Sequence, residues 1–211
     1  AVRLPQVLAW LQSNPVDVLV LQETKLTDDK FPHAEIEAAG YRAQWHGQKT
    51  YNGVALLSRG PADAVVKNIP GHDDPQARVI AGTVRGVRAI GAYFPNGQAP
   101  GSEKFAYKMQ WLAALRGWVA AELAAHPRLV LMGDFNIAPE DRDVYDPELL
   151  RGTIHCTDEE REQNHTVTLD GGAGFTYLDT YAQTYGGYPV VIPTEIEDTG
   201  CGMDADFIRE R

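Results

Sequence analysis

Residues 78–94, "RVIAGTVRGVRAIGAYF", hold two apolar segments, RVIAGTV (78–84) and VRAIGAYF (87–94), separated by a two-residue break containing glycine. They close a run that begins with YRAQWH (41–46), GVALLS (53–58) and DAVVKN (63–68). Five strand-like segments thus follow one another with no helical spacing between them. Breaks rich in Gly, Pro, Asn and Asp divide most of them, so the segments are expected to be antiparallel neighbours.

Helical patterns flank this run. Leu4, Val7, Leu8 and Leu11 recur at helical spacing, so residues 4–13 are expected to form an amphipathic helix that Asn14-Pro15 ends. DVLVLQE (17–23) is a short apolar strand that finishes in polar residues, and residues 33–40 form a weak helix closed by Gly40. Phe105, Met109, Leu112, Val119 and Leu123 mark the longest helix, over 102–125, and RLVLMGD (128–134) is another buried strand. Helices grouped around runs of strands predict an α/β domain of the α+β type, built in layers. No internal repeat interrupts this order, and the character of the chain changes near residue 163, beyond which Thr, Gly, Tyr and Asp dominate.

With 211 residues, 44% of them hydrophobic, the chain can build one sizeable core, and a single domain over 1–211 is expected. No apolar run approaches the roughly 18 residues that span a bilayer. Two cysteines, Cys156 and Cys201, are too few for a disulfide framework and suit a reducing cytoplasm. The net charge of −10 argues against a protein that coats nucleic acid electrostatically, yet it leaves room for one that grips a phosphodiester through a metal.

Several polar residues sit where strands end. Glu23, in LVLQETK, lies just past an apolar strand, at the sheet rim where ligands bind. There it could hold a hard divalent cation, since Mg²⁺ takes one or two carboxylates plus water and substrate phosphate. It could equally be a solvated loop residue. In LVLMGDFNIAP (129–139), Asp134 and Asn136 are two apart, so in an extended segment both face one cleft while Phe135 enters the core. A carboxylate that orients water beside an amide that donates to a phosphate oxygen suits phosphodiester hydrolysis. The plainer alternative is an Asx-turn before Pro139.

Tyr93, in GAYFPNG, is either a phosphate contact or half-buried packing, and Arg78 either a phosphate clamp or an ion-pair partner. Lys49, Tyr51 and Asn52 form a polar loop with Asn52-Gly53 as its turn. Lys104, Tyr107 and Lys108 share one side of the long helix, as a backbone-contacting patch or a solvated face. The histidines are scattered with no zinc-ligand spacing, and there is no P-loop and no CxxC.

In order along the chain, LQETK, HGQKTYNGVALLS, GAYFPNG, LVLMGDFNIAP and IHCTDEERE resemble the bacterial exonuclease III family (exodeoxyribonuclease III/AP endonuclease) of the endonuclease/exonuclease/phosphatase superfamily, over roughly residues 1–163. The resemblance implies a DNase I-like four-layer fold, a two-sheet β-sandwich flanked by helices, with 164–211 as a diverged tail. It implies a hydrolase of base excision repair: a cytoplasmic metal-dependent nuclease that acts on double-stranded DNA, 5′ to abasic sites and at 3′ ends, with no membrane partner. By the same resemblance Glu23 binds Mg²⁺ (or Mn²⁺), Tyr93 contacts the scissile phosphate, Asp134 positions the attacking water and Asn136 holds the phosphate. Arg78, Lys49 and Asn52 would track the DNA backbone, and on the helix-face reading above Lys104 and Lys108 are added as expected DNA contacts.

The chain departs from the family pattern at both ends. The family's opening strand with Asn-x-Asn and its closing strand with Ser-Asp-His have no counterpart here, and no Asp-His dipeptide occurs. Asp206, in MDADFI, is a faint match to a further metal-binding Asp, and Asp179 to a structural one. A chain without these two strands is therefore expected, as is the alternative of a catalytically inactive scaffold or DNA-binding fragment.

Overall fold

The computed structural model describes residues 3–169, so Asp179 and Asp206 lie outside the described residues. Two sheets face each other. The first is the antiparallel triplet β1 (Val18–Gln22), β3 (Val54–Ser58) and β2 (Arg42–His46), with β3 in the middle. The second runs β4 (Asp63–Lys67), β5 (Val79–Val84), β6 (Val87–Ala92) and β7 (Leu129–Met132). The expected antiparallel pairing holds for β2 with β3 and for β4–β5–β6, but not for β3 and β4, because there the chain crosses from one sheet to the other. β7 returns parallel to β6 after the long helix α3 (Glu103–Ala125), as a parallel pair requires a crossover.

The apolar character of β3, β5 and β6 follows from this layering, because these three strands are buried on both faces. Val18, Val20, Val54, Leu56, Ile80, Val84, Ala89, Val130 and Met132 meet between the sheets. Their alternates point outward. Leu19, Ala55 and Leu57 pack under α1 (Leu4–Ser13) and α2 (His33–Ala38) through Leu11 and Ile36. Val79, Ala81, Ile90 and Ala92 pack under α3 through Trp111, Leu112, Leu115 and Val119. The result is helix, sheet, sheet, helix: the four-layer α/β architecture. At Gly91 the sheets approach so closely that an added Cβ would lie 2.5 Å from Val20 Cγ1.

α1 and α3 occupy the spans their periodicity predicts. Ser102 caps α3, its hydroxyl accepting from the Phe105 N–H at 3.1 Å. Among the described residues beyond β7, the α-helices α4 (Pro147–Leu150) and α5 (Asp158–Leu169) carry no apolar period. α5 packs on α3. Among the described residues no helix is long and apolar enough to cross a membrane.

Candidate active site

The site forms where β1, β6 and β7 end at the same rim. Gln22, the last residue of β1, accepts from the Asp134 N–H through its side-chain oxygen at 2.9 Å, which ties the first sheet to the loop after β7. Phe94 N–H donates to the Asp134 carbonyl at 3.0 Å, tying in the segment after β6. Gly133 makes the junction possible. Its φ of +146° and its contact with the Ala92 carbonyl leave no room for a side chain.

Glu23 follows directly in the left-handed region, at φ 53°. A non-glycine residue there stores strain of about 1–3 kcal/mol, which the surroundings must hold. They do so through the Asn52-Gly53 turn. Lys25 N–H donates to the Asn52 carbonyl and Thr24 N–H to the Gly53 carbonyl, at 3.0 and 3.1 Å. The Glu23 carboxylate is half exposed, accepts from the Tyr93 hydroxyl at 2.7 Å and pairs with the Lys25 ammonium at 3.2 Å. Partial burial pushes its pKa up, but Tyr93 and Lys25 outweigh burial and hold it below the ordinary glutamate range. The Tyr93 phenol moves the other way, raised first by burial and then by Glu23, so at neutral pH it keeps its proton.

Asp134 and Asn136 do come together, though not through an extended backbone. Asn136 is left-handed, φ 49°, and its N–H donates to Asp134 Oδ1 at 2.9 Å. That is the Asx-type turn, the plainer of the two sequence alternatives for this segment. Phe135 enters the core as expected. The Asn136 amide is buried and donates to the Phe94 carbonyl at 3.0 Å. Asn96 Nδ2 reaches Asn136 Oδ1 at 3.4 Å and His155 Nε2 at 3.3 Å. His155 Nδ1 lies 2.5 Å from the Asn136 carbonyl and must donate to it, which leaves Nε2 to accept from Asn96.

Three residues expected at the DNA backbone are buried and engaged within the protein. Arg78 is 9% exposed and three of its five N–H donors are used inside the protein: Nε and Nη2 reach Gln76 Oε1, and Nη1 the Tyr93 carbonyl. Its guanidinium lies against the Tyr93 and Tyr107 rings, so it braces Tyr93 from behind. Asn52 is buried, its amide knitted between Gln48 and Gln76. Lys108 is 0% exposed and ion-paired with Glu160. Burial pulls its pKa down from the ordinary lysine range, against the pull of Glu160. Removing one partner of such a pair costs about 3–5 kcal/mol, which is why the charge stays inside only with its partner. Lys49 and Lys104 are exposed.

Gln22, Asn96, His155 and Glu160 were not singled out from sequence. Glu160 had a readable signal: Thr157-x-x-Glu160 is a capping-box pattern before a helix, and both its reciprocal bonds form. Among the described residues no group of three His, Cys, Asp or Glu could hold a metal. Glu23 fits a hard cation nonetheless. Its carboxylate is ionised at neutral pH, reachable from solvent, and already has a cation, Lys25, at its side.

The sequence profile of the Endonuclease/Exonuclease/phosphatase family matches residues 3–191. Exodeoxyribonuclease III of Haemophilus influenzae is 33% identical over 145 residues, 66% of this chain and 54% of that protein. The structure of the 3′ phosphatase NExo from Neisseria bound to product DNA hairpin superposes with a TM-score of 0.79 at 53% identity, covering 81% of this chain and 66% of the other. An AP endonuclease from Archaeoglobus fulgidus superposes with a TM-score of 0.74 at 33% identity, covering 78% and 64%. The chain thus spans between about half and two thirds of these proteins.

Proposed function

The chain belongs to the endonuclease/exonuclease/phosphatase family, and on that premise we propose that it is a metal-dependent DNA repair nuclease of the exonuclease III type, hydrolysing phosphate esters at the 3′ ends of duplex DNA. The observation that carries the proposal is the convergence of Glu23, Tyr93, Asp134 and Asn136 at one rim, held from both sheets by Gln22 and Phe94.

In this proposal Glu23 would hold Mg²⁺ or Mn²⁺. When bound, such an ion supplies positive charge to the phosphate and its leaving oxygen. The rest of the chemistry belongs to the chain. Asp134, oriented by its bond from Asn136 N–H, would align and deprotonate the attacking water. Asn136 spends one amide hydrogen on Phe94 and keeps the other for a phosphate oxygen. Tyr93, protonated at neutral pH and braced by Arg78, would turn its one O–H proton from Glu23 to the same phosphate once Glu23 holds the ion. Lys49 and Lys104 are exposed cations that would meet the DNA backbone.

A second reading, incision on the 5′ side of abasic sites, draws on the likeness to the archaeal AP endonuclease. One assay separates the two: end-labelled duplexes carrying a 3′-phosphate, a recessed 3′-hydroxyl end or a single internal abasic site, each with Mg²⁺ and with EDTA. Metal-dependent trimming or phosphate release at 3′ ends is expected. Incision of the abasic duplex with intact 3′ ends would favour the second reading. Failure on all three would leave an inactive scaffold.

A further inference from the structure

The Lys108–Glu160 pair has no part in the chemistry above, is sealed from solvent, and still reaches the site. Lys108 Nζ contacts Glu160 Oε1 at 2.5 Å, the Asn136 carbonyl at 2.6 Å and the Asn96 carbonyl at 3.3 Å. One buried ammonium therefore spans the loop after β6 and the loop after β7, gripping in each the main chain of an asparagine whose side chain faces the other. We propose that Lys108 and Glu160 are positioning residues: they fix the direction of the Asn136 amide by clamping its carbonyl, and they make that clamp depend on the docking of α5 against α3.

Three features carry this. Asn136 has φ 49°, the left-handed region that asparagine enters more readily than most residues with a side chain, and its own N–H is held by Asp134. Its peptide plane is set by the two donors on its carbonyl, Lys108 Nζ and His155 Nδ1. With the plane set, the side chain emerges toward Phe94 and Asn96. Second, Glu160 is committed on every side. Oε2 accepts from Thr157 N–H and Oγ1 at 3.2 and 2.8 Å, so the carboxylate that neutralises Lys108 is also half of the α5 cap. Third, apolar pairs of similar volume often fill such a space as stably as two desolvated charges, so the role assigned to the ions is direction rather than stability. A methylene chain cannot hold two carbonyls at defined angles, and an ammonium with three donors can.

The proposal rests on the nuclease assignment only for its kinetic test. The variants are Lys108→Arg and the charge-free pair Lys108→Met/Glu160→Met, each made alone and combined with Asn136→Ala, with melting curves to verify folding. With Mg²⁺ and the 3′-end duplex, the charge-free pair should lower kcat about 10- to 100-fold with KM within about 3-fold, as misplacement of a catalytic group does. Lys108→Arg should recover part of that loss. In the Asn136→Ala background the charge-free pair should cost less than about 2-fold, because the group it positions is gone. Equal losses in both backgrounds would overturn the proposal, as would an unchanged kcat. A second readout needs no activity. In ¹H–¹⁵N spectra the main-chain and Nδ2 resonances of Asn136 should shift in the charge-free pair while those of the α1–α2 side stay put, and unmoved Asn136 resonances would overturn it. If the wild-type chain cleaves no DNA, the nuclease assignment fails, and the spectra alone decide the positioning role.

Discussion

Gly133→Ala should be among the most damaging single-atom additions to this chain. A Cβ at residue 133 would sit 2.0 Å from the Ala92 carbonyl oxygen, 2.9 Å from its carbon and 3.3 Å from Gln22 Oε1. The first two are main-chain atoms at the end of β6, which is paired on both sides and cannot swing away. The φ of +146° adds strain of about 1–3 kcal/mol for any residue with a side chain. Overpacking against fixed atoms adds about 1–3 kcal/mol. Together the loss should be about 2–6 kcal/mol, a large fraction of the roughly 5–15 kcal/mol that holds a domain folded. Urea unfolding measures it as a lower midpoint at unchanged slope. A loss below about 1 kcal/mol would refute the claim that backbone contact at this junction sets the site's geometry.

The remaining predictions concern single elements. Gly117→Ala, in the exposed face of α3 with open space at its Cβ, should raise stability by about 0.5–1 kcal/mol in the same assay. Ser102→Ala removes the α3 cap and should cost about 1 kcal/mol, read as a lower urea midpoint. Tyr93→Phe should raise the Glu23 pKa toward the ordinary glutamate range, seen by carboxyl ¹³C titration. The sign for stability follows from the lowered folded-state pKa. The Glu23 contribution is present above the unfolded glutamate pKa, about 4.3, fades as pH falls through the folded value, and is smaller in Tyr93→Phe.

The layers were legible because burial on two faces writes itself into composition. Val54–Ser58 and Val79–Val84 are apolar without alternation, which only a strand covered on both sides requires. The partition of strands between sheets was not legible, since DAVVKN carries nothing that says its neighbour is β5 rather than β3. Within the site, Glu23, Tyr93, Asp134 and Asn136 were visible as polar residues at strand ends. Their local conformation was legible only in part: the turn at Asn136 rests on its neighbour Asp134, whereas left-handed Glu23 is held by the distant Asn52-Gly53 turn. Arg78 and Lys108 misled for one shared reason. A cation on a sequence string looks solvated unless its partner is known, and the partners are Tyr93 and Tyr107 for one and Glu160 for the other. α5 escaped notice because its capping box precedes a polar helix with no apolar period.

The central claim is that Glu23 and Asp134 serve one metal-dependent hydrolytic site. The most direct measurement is the single-turnover rate on an end-labelled duplex with a 3′-phosphate, across a Mg²⁺ titration, for the wild type, Asp134→Ala and Glu23→Gln. The account predicts a rate abolished by EDTA, reduced by at least about 100-fold in Asp134→Ala at every Mg²⁺ concentration, and shifted to higher Mg²⁺ demand in Glu23→Gln. Cleavage that survives EDTA, or that both variants leave untouched, would contradict it.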